Sequence, residues 1–284
     1  MTWRMYRWVW QSEAPLHIGT RPAGMLNRTR LYAPARALWG ALTAELARRG
    51  SPSFPDYSQV GNQVRQQTRL SYLFPAQRVG EKWLAWLPQY EQGTGLQWWR
   101  EDGTGSVPDA HFRRWLLTTR PGTAIDSNSD TAAEGTLREY EVINLWSRWG
   151  SPSSPQPVAL AGYIFIDNGA DQTVFDVEEL FIGGDTRYGL GRIRKVECSE
   201  ADRIFDKPVD LTGSDPRVRT GQVLAHALPN RAINLLGTWE QLGMWNYGEF
   251  KTAQLVWVPG SQAGDNSSLW RIREDGLWVK DIGG

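Results

Sequence analysis

A short segment at positions 180–196 (LFIGGDTRYGLGRIRKV) has the composition of a phosphate-binding loop. Glycine lets backbone N–H groups approach a ligand closely and adopts positive φ at little cost. The arginine guanidinium is a planar fork that matches phosphate oxygens and stacks on bases. No GK[ST] sequence follows, which argues against a nucleotide P-loop, and no helical pattern follows, which argues against a dinucleotide-binding turn. The alternative to a phosphate-binding loop is a plain hairpin with solvated arginines. The residues concerned are Gly183, Gly184, Arg187, Gly189, Gly191, Arg192, Arg194 and Lys195.

The bulk composition limits how such a loop could act. The chain has 284 residues, enough for a core that folds unaided. Its 31 basic and 31 acidic residues give a formal net charge of zero, so the overall electrostatic field does not attract nucleic acid. Any binding of nucleic acid must therefore depend on a local cluster of positive charge. Cys198 is the one cysteine, which excludes an intrachain disulfide framework and a cysteine-based zinc site. The polar N-terminus and the absence of a long apolar run lead us to expect a cytoplasmic protein with no membrane association.

Local patterns predict the elements that would position the loop. Alternating apolar residues predict a first strand over 3–10, and an apolar face at helical spacing predicts a helix over 35–50, ended by Gly50. Residues 51–60 are predicted to be a loop. A strand is expected over 67–77, with Leu70, Tyr72 and Phe74 on one side.

The following segments carry more complex patterns. Residues 82–117 are rich in tryptophan and broken by glycines, which predicts an irregular insertion, whereas 118–145 has the pattern of a long hairpin with a polar tip. A Pro/Ser linker at 150–157 precedes the clearest strand, VALAGYIFID. VFDVEELFIGG is predicted to be a short helix that leads into the glycine-rich loop, and short strands are expected within 252–282.

This order of elements predicts an α+β fold with a ferredoxin-like βαββαβ core, whose four-stranded sheet is a platform used in RNA recognition. The domain organisation that we expect is one domain over 1–196, with the insertions at 82–117 and 118–145. A β-rich C-terminal extension would occupy 197–284, as a degenerate second ferredoxin-like half or as a docking surface.

The 16 tryptophans suit stacking on bases or sugars as well as packing in a core. Trp3, Trp10, Trp146 and Trp257 fall at strand positions, and we expect them in the core. The run Trp98-Trp99-Arg100 is a candidate stacking patch, although packing is the simpler interpretation for each residue.

Three motifs, in this order, resemble those of the RAMP superfamily of CRISPR-associated proteins, the ferredoxin-like RNA-binding subunits of CRISPR effector complexes. The first is PLHIG…YAPARALWGAL at 15–42, similar to the family's LxIG strand end and the start of its first helix. The second is TAIDSNSDTAAEGTLREYEVI at 123–143, similar to the family's thumb hairpin. The third is the glycine-rich loop at 183–191, so the resemblance covers about the first two thirds of the chain.

The resemblance implies three regions of contact with CRISPR RNA. In the family the glycine-rich loop contacts the guide phosphates, and the start of the first helix lines the same groove. The thumb wedges into the guide and displaces a nucleotide, which implicates Ile125, Asp126 and Thr131 and, more generally, the tip 126–131. The residues implicated in RNA binding are Gly19, Arg28, Arg30, Arg36, Gly183, Gly184, Arg187, Gly189, Gly191 and Arg192.

Two departures from the family pattern bear on catalysis. Target-cleaving backbone subunits carry an aspartate in the loop after the LxIG strand, but this loop (TRPAGMLNRTRLYAP) has no carboxylate. Asn27 is the nearest polar residue there, and an amide cannot act as a base. The lysine common at the helix start is also missing, and Arg36 is the nearest basic residue. We therefore expect a non-catalytic scaffold subunit, as the cap on the 5′ tag of the guide or as an inactivated backbone subunit.

Three residues are weak candidates for catalysis. Guide-processing members of the superfamily use a histidine as general acid or base, and His17 is placed at a strand end for that role, although a structural histidine is the more common case. Asp126 and Asp130 could bind Mg²⁺, but aspartates at such positions usually form turns. Glu134 and Glu141 are expected to be solvated. No cofactor is predicted, and Mg²⁺ would be needed only by a nuclease.

Two alternatives stay open at the level of sequence. One is a RAMP backbone subunit that cleaves target RNA through a carboxylate in another loop, for which Asp102, Asp109 or Asp126 would be suspects. The other is a carbohydrate-binding protein that uses exposed tryptophans, although the paired carboxylates of a glycosidase are not identifiable. The expected partners of the favoured scaffold are CRISPR RNA, target RNA through it, and other Cas subunits.

Overall fold

The computed structural model describes residues 2–149, 154–230, 234–246, 249–264 and 268–281. Within them the helices are α1 (Ala35–Gly50), α2 (Tyr57–Gln67) and α3 (Asp109–Leu116). The strands of the described residues are, in chain order, β1 (Trp3–Ser12), β2 (Leu26–Asn27), β3 (Thr68–Leu70), β4 (Phe74–Val79), β5 (Lys82–Glu91), β6 (Gly95–Arg100), β7 (Ser106–Pro108), β8 (Leu117–Gly122), β9 (Arg138–Ile143), β10 (Trp146–Ser147), β11 (Gln156–Asp167), β12 (Glu179–Phe181), β13 (Arg192–Glu200), β14 (Arg203–Ile204), β15 (Lys207–Asp210), β16 (Arg217–Arg219), β17 (Trp239–Asn246), β18 (Glu249–Trp257), β19 (Leu269–Ile272) and β20 (Trp278–Lys280). Helices with mainly antiparallel sheets confirm the predicted α+β class.

The largest sheet is organised around β1 and β11. Its strand order is β12-β13-β1-β11-β4-β5-β6-β7, and each pairing along this path is antiparallel. The register of β1 on β11 runs from Trp3 opposite Asp167 to Gln11 opposite Ala159. Residues 158–166 of β11 are buried, because this apolar, β-branched strand is covered on both of its faces. The predictions of strands at 3–10 and in VALAGYIFID are thus confirmed.

Helix α1 packs on this sheet through one apolar face. Leu38, Ala41 and Leu42 are buried, as their spacing predicts. Arg48 and Arg49 lie in the last turn, and Arg49 forms an ion pair with Glu45 at 2.7 Å. The predicted helix over 35–50 is confirmed.

Two predictions for the next segment need correction. Residues 51–60 do not form only a loop, because α2 begins at Tyr57 and the side chain of Asp56 caps it by accepting from the N–H of Gln59 at 2.8 Å. The strand expected over 67–77 is divided into β3 and β4. It is interrupted where the Ser71 hydroxyl accepts the backbone N–H of Tyr163 at 2.7 Å, in place of a ladder carbonyl.

The tryptophan-rich region is regular rather than an irregular insertion. Strands β5, β6 and β7 form an antiparallel meander, and α3 follows it directly. Trp98 is buried and stacks on Phe112 with ring centroids 4.5 Å apart, and Trp86 is buried against the same ring. The aromatic residues therefore build a local core, and Trp98 cannot stack on a base from solvent.

Other predictions have mixed outcomes. Trp3, Trp10 and Trp257 are buried as expected, but Trp146 is 53 % exposed, so its assignment to the core is wrong. The helix predicted in VFDVEELFIGG is also wrong, since that segment ends a 3₁₀ turn (Gln172–Asp176) and continues as β12. Residues 150–153 of the predicted linker lie outside the described residues.

The predicted hairpin is formed by β8 and β9, which pair antiparallel from Leu117 opposite Ile143 to Gly122 opposite Arg138. Strand β2 adds to β9 in parallel, so the base of this hairpin is tied to the loop before α1.

The C-terminal part is β-rich, and the strands expected within 252–282 are present as β18, β19 and β20. It packs against the rest of the chain: the Gln222 side chain donates to the carbonyl of Pro88 at 2.8 Å, and Trp270 and Trp278 are buried in the shared hydrophobic cluster. No helix of the described residues is long and apolar enough to cross a membrane.

Candidate nucleic-acid interface

A groove of about 530 Å³ lies between α1, the glycine-rich loop and the C-terminal strands. Helix α1 contributes a wall of small residues, because Ala37, Gly40, Ala41 and Ala44 face it. Leu242 and Gly243 of β17 and the segment around Asp275 form the opposite side. The residues predicted to bind RNA that line this groove are Gly19, Arg30, Arg36, Gly183 and Gly184. Five positions from two distant segments of the sequence, 19–36 and 183–184, therefore meet in one concave surface.

The glycine-rich loop connects β12 to β13, and its glycines are required by close packing. Gly183 and Gly191 have φ of +89° and +86°. A Cβ atom at Gly183 would lie 2.3 Å from the carbonyl oxygen of His17, and one at Gly191 would lie 2.3 Å from that of Ile182. The loop thus rests on the chain segment that precedes α1, and only glycine permits both the φ and the approach.

Most of the loop's backbone donors already serve the fold. The N–H of Gly184 donates to His17 at 2.8 Å, that of Gly191 to Pro15 at 2.9 Å, and that of Gly189 to Thr186 at 3.2 Å. These three amides are therefore committed within the protein. What the loop offers a phosphate is the exposed backbone at Gly183, which faces the groove, and its arginine side chains.

The two arginines of the loop differ in their surroundings. Arg187 is exposed and forms no ion pair with any described residue. Arg192 pairs with Glu179 at 2.6 Å and with Glu13 at 3.3 Å, so its charge is largely neutralised. Arg192 and Gly191 do not line the groove, nor do Arg187 and Gly189. Arg187 remains available at the rim, next to the groove-lining Thr186.

On the other side of the groove the arginines are held by the fold. The Arg30 guanidinium donates to the carbonyl of Gly19 at 2.7 Å and forms an ion pair with Glu240. Burial and the nearby charge of Arg65 lower the pKa of Arg36, while Asp275 opposes that shift. Arg28 is exposed on the loop before α1 but does not line the groove.

A buried polar network, which no motif in the sequence indicates, holds Arg30 in place. The imidazole of His226 is fully buried; its Nδ1 lies 2.7 Å from the hydroxyl of Tyr72 and its Nε2 lies 3.0 Å from a carboxylate oxygen of Glu240. Burial lowers the pKa of His226, and the ring is neutral, with Nε2–H donating to Glu240. Burial opposes ionisation of Glu240, but the hydrogen bond from His226 and the charge of Arg30 hold its pKa below the ordinary value. These residues are far apart in the chain, so sequence reasoning could not have linked them.

His17 lies beneath the glycine-rich loop and is 7 % exposed. Its Nδ1 lies 2.8 Å from the carbonyl oxygen of Glu141 on β9, and its ring meets that of Tyr140 edge to face. The Glu141 carboxylate, expected to be solvated, instead accepts the backbone N–H of Thr29 at 2.9 Å. These contacts connect the hairpin base, the loop before α1 and the glycine-rich loop.

The hairpin tip presents Ile125, which is 62 % exposed. The carboxylate of Asp126 accepts the backbone N–H groups of Asn128 at 2.8 Å and Ser129 at 3.1 Å, which lowers the pKa of Asp126. The carbonyl of Thr131 accepts the N–H of Asp126, and Asp130 adopts a φ of +54°. Both aspartates thus shape the turn. Among the described residues no group of three or more His, Cys, Asp or Glu side chains is placed to hold a metal ion.

Comparisons with known proteins bear on the fold. No protein-family model matches the sequence, and no curated protein matches it. The structure is similar to a chain of type III-B Cmr-beta bound to cognate target RNA and AMPPnP, with a TM-score of 0.58, 12 % identity, and coverage of 91 % of this chain and 85 % of that one. A chain of type III-B Cmr-beta bound to cognate target RNA gives a TM-score of 0.56 at 13 % identity, with coverage of 90 % and 86 %. The similarity that the motifs predict is therefore confirmed at the level of the fold, as a likeness to chains of type III-B Cmr-beta structures.

Proposed function

We propose that this protein is a non-catalytic, CRISPR RNA-binding scaffold subunit of a type III-like effector complex. The observation that carries the proposal is the convergence of Gly19, Arg30, Arg36, Gly183 and Gly184 on one groove. The similarity in fold to chains of Cmr-beta, which its structures describe as bound to cognate target RNA, supports the same conclusion. Other Cas subunits and, through the guide, target RNA are the proposed partners.

The proposal includes a ferredoxin-like core. Strands β13, β1, β11 and β4 lie side by side in an all-antiparallel order that corresponds to fourth, first, third and second strand, as such a core requires. Helix α1 follows the first strand. The second helix of the pattern is reduced to the 3₁₀ turn at 172–176, because only five residues are helical there. We assign this core to residues 1–196 and the remaining strands to a C-terminal extension.

The mechanism of this subunit is binding. Arg36 supplies charge along the groove, and Arg30, whose charge is offset by Glu240, lines it. The Gly183 backbone allows close approach of a sugar-phosphate chain, and Arg187 extends the positive surface at the rim. Ile125 at the hairpin tip is an exposed apolar wedge of the kind that can separate stacked bases. The carboxylate of Asp126 accepts a backbone N–H group of its own turn, which supports a role in shaping the hairpin tip over a catalytic role.

RNA binding is tested by salt dependence. Arg36→Ala together with Arg187→Ala is expected to weaken binding of the guide by ~1–3 kcal/mol and to reduce the slope of log K against log salt by roughly 0.7 for each single-strand phosphate left without its arginine. Arg114→Ala is the matched control, since this arginine is exposed on α3 and lies away from the groove. Unchanged affinity and slope in the double variant would exclude the groove as the RNA site, and binding of oligosaccharide with little salt dependence would favour the carbohydrate alternative.

The scaffold role is tested separately in the assembled complex with target RNA and Mg²⁺. Replacing Asp126 and Asp130 together by alanine is expected to leave cleavage of the target unchanged, because the Asp126 carboxylate caps the turn and Asp130 contributes its left-handed backbone conformation to it. Loss of one cleavage product while the complex still assembles would identify this subunit as a nuclease.

A further inference from the structure

The glycine-rich loop exposes one large aromatic ring to solvent. Tyr188 is 71 % exposed, more than any other tyrosine of the described residues. Its backbone is nevertheless fixed, because its N–H donates to the carbonyl of Asp185 at 2.9 Å and the nearby Leu190 is buried. A tyrosine ring on a fixed backbone offers a large contact area and loses little conformational entropy on binding. The ring is therefore well placed to contact a partner outside the chain.

The hairpin of β8 and β9 places arginines and a second tyrosine beside this ring. The guanidinium carbon of Arg138 lies 5.9 Å from the centre of the Tyr188 ring and 5.8 Å from that of Tyr140. Tyr140 is opposite Arg120 in the register of the hairpin, and Arg138 is two residues from Tyr140. These three side chains therefore project from one face of the hairpin. We call Arg120, Arg138, Tyr140 and Tyr188 the arginine–tyrosine platform.

The platform carries positive charge that the fold does not neutralise. Arg120, Arg138 and the neighbouring Arg187 are exposed, and none of them forms an ion pair with a carboxylate of the described residues. The acidic residues of β9, Glu139 and Glu141, alternate with the platform residues and lie on the opposite face of the hairpin. Unpaired guanidinium groups beside accessible rings suit a partner that is both anionic and flat, which is the chemistry of single-stranded RNA.

The platform lies between the groove and the hairpin tip. Thr186, two residues before Tyr188, lines the groove. Arg138 is opposite Gly122 at the last position of the β8–β9 ladder, and the chain beyond this pair forms the tip that carries Ile125. An RNA strand that runs from the groove toward the tip therefore passes over the platform.

We propose that one unpaired base of the RNA bound in the groove stacks on the ring of Tyr188, with Arg120 and Arg138 beside its phosphates. Every base has a flat π face, so this contact holds the strand without selecting a sequence. The guanidinium of Arg138 adds charge and a cation–π contact to the tyrosine ring. This inference rests on the proposed RNA-binding function and adds to it a stacking site outside the groove.

The test measures the affinity of the full chain for guide RNA and for a series of guides in which one nucleotide at a time is abasic. Removal of one particular base is expected to lower the affinity about tenfold, whichever base stands there. In Tyr188→Ala the affinity for the unmodified guide should fall by a similar factor, and that position should no longer respond to base removal. Tyr188→Phe keeps the ring and should behave like the parent protein.

Two further variants serve as control and as second readout. Tyr57→Ala is the matched control, because Tyr57 is an exposed tyrosine at the start of α2 that does not line the groove. It should keep both the affinity and the response to base removal. Arg138→Gln should reduce the slope of log K against log salt by roughly 0.7, the value for one phosphate contact on a single strand. Neither tyrosine is part of the buried core, so neither alanine variant removes core packing.

The outcomes separate this inference from the function on which it rests. If the guide does not bind, or binds without dependence on salt, the proposed function fails and the platform with it. If the guide binds and Tyr188→Ala keeps the affinity and base response of the parent, the stacking site is overturned while the groove stands. Equal losses in Tyr188→Ala and Tyr188→Phe would assign the contact to the hydroxyl and refute stacking. If Tyr188→Ala prevents assembly with other Cas subunits at unchanged RNA affinity, the platform is a protein interface and the inference is wrong.

Discussion

The close packing of the glycine-rich loop on the segment before α1 predicts unequal effects of two chemically identical substitutions. Gly183 and Gly189 both adopt positive φ, +89° and +80°. A methyl group at Gly189 would meet no atom of the described residues within 4 Å, whereas at Gly183 it would lie 2.3 Å from the His17 carbonyl oxygen and 2.9 Å from Cδ1 of Ile18. Gly189→Ala therefore measures the conformational cost alone, and Gly183→Ala adds a collision with backbone.

The two costs can be estimated. A non-glycine residue in the left-handed region costs ~1–2 kcal/mol, and this applies to both variants. Relief of an overpacked contact through backbone movement typically adds ~1–3 kcal/mol. Movement of the loop at Gly183 also disturbs the adjacent hydrogen bond from Gly184 to His17, which is 2.8 Å long. We thus expect Gly189→Ala to destabilise by about 1–2 kcal/mol and Gly183→Ala by about 2–5 kcal/mol.

Urea unfolding of each variant against the parent protein, with the m-values compared, measures this difference. RNA affinity provides a second readout, because Gly183 lines the groove and Gly189 does not. Gly183→Ala should weaken RNA binding even where the protein is fully folded, and Gly189→Ala should leave it near the parent value. Equal unfolding midpoints for the two variants would refute the packing argument, and equal losses of RNA affinity would refute the role of the Gly183 backbone.

Three further predictions follow from individual contacts. Burial lowers the pKa of His226 below its ordinary 6.5, so on acidification the unfolded chain protonates this imidazole before the folded chain does. The contribution of the neutral His226 to the free energy of unfolding is therefore fully present above about pH 6.5 and decreases below it. Thermal unfolding between about pH 7.5 and 5 should show this dependence, and His226→Asn should flatten it. Arg192→Ala, which removes a side chain already paired with carboxylates, should weaken RNA binding less than Arg187→Ala, as a direct titration at low salt will show. Asp56→Ala should cost about 0.5–2 kcal/mol through loss of the α2 cap, with Asp56→Asn close to the parent in denaturant unfolding.

The elements that could be predicted from the sequence are those whose signal is local. Helix α1 has an apolar face at regular spacing and a glycine at its end, and β11 is an unbroken apolar run, so neither needs a distant partner to be recognised. The larger apolar residues of helix α2 are only Tyr57, Val60 and Val64, and Tyr57 is exposed. Its position is fixed by tertiary contacts, since the Trp39 indole donates to the Gly61 carbonyl at 2.9 Å and Gly61 has no room for a side chain.

The tryptophan-rich region resists prediction for a related reason. Its strands are separated by turns with positive-φ glycines such as Gly93 and Gly103, which look like breaks in a pattern. What orders them is the aromatic cluster of Trp86, Trp98 and Phe112, which joins two strands to a helix. Trp146 shows the opposite error, because a strand-like position at the sheet margin leaves its ring exposed.

The residues in and around the groove fall into two groups, those that could be predicted from the sequence and those that could not. The loop and helix-start residues stand in recognisable motifs, whereas His226 and Glu240 stand in none. Yet Glu240 pairs with Arg30, which is 210 positions away, and His226 links Glu240 to Tyr72. Without residues 197–284, Arg30 would lose the carboxylate that holds its side chain in place, and the groove would lose its wall at Leu242. The C-terminal extension therefore completes the groove, and a chain that ends before it should bind guide RNA more weakly even if its large sheet and α1 fold.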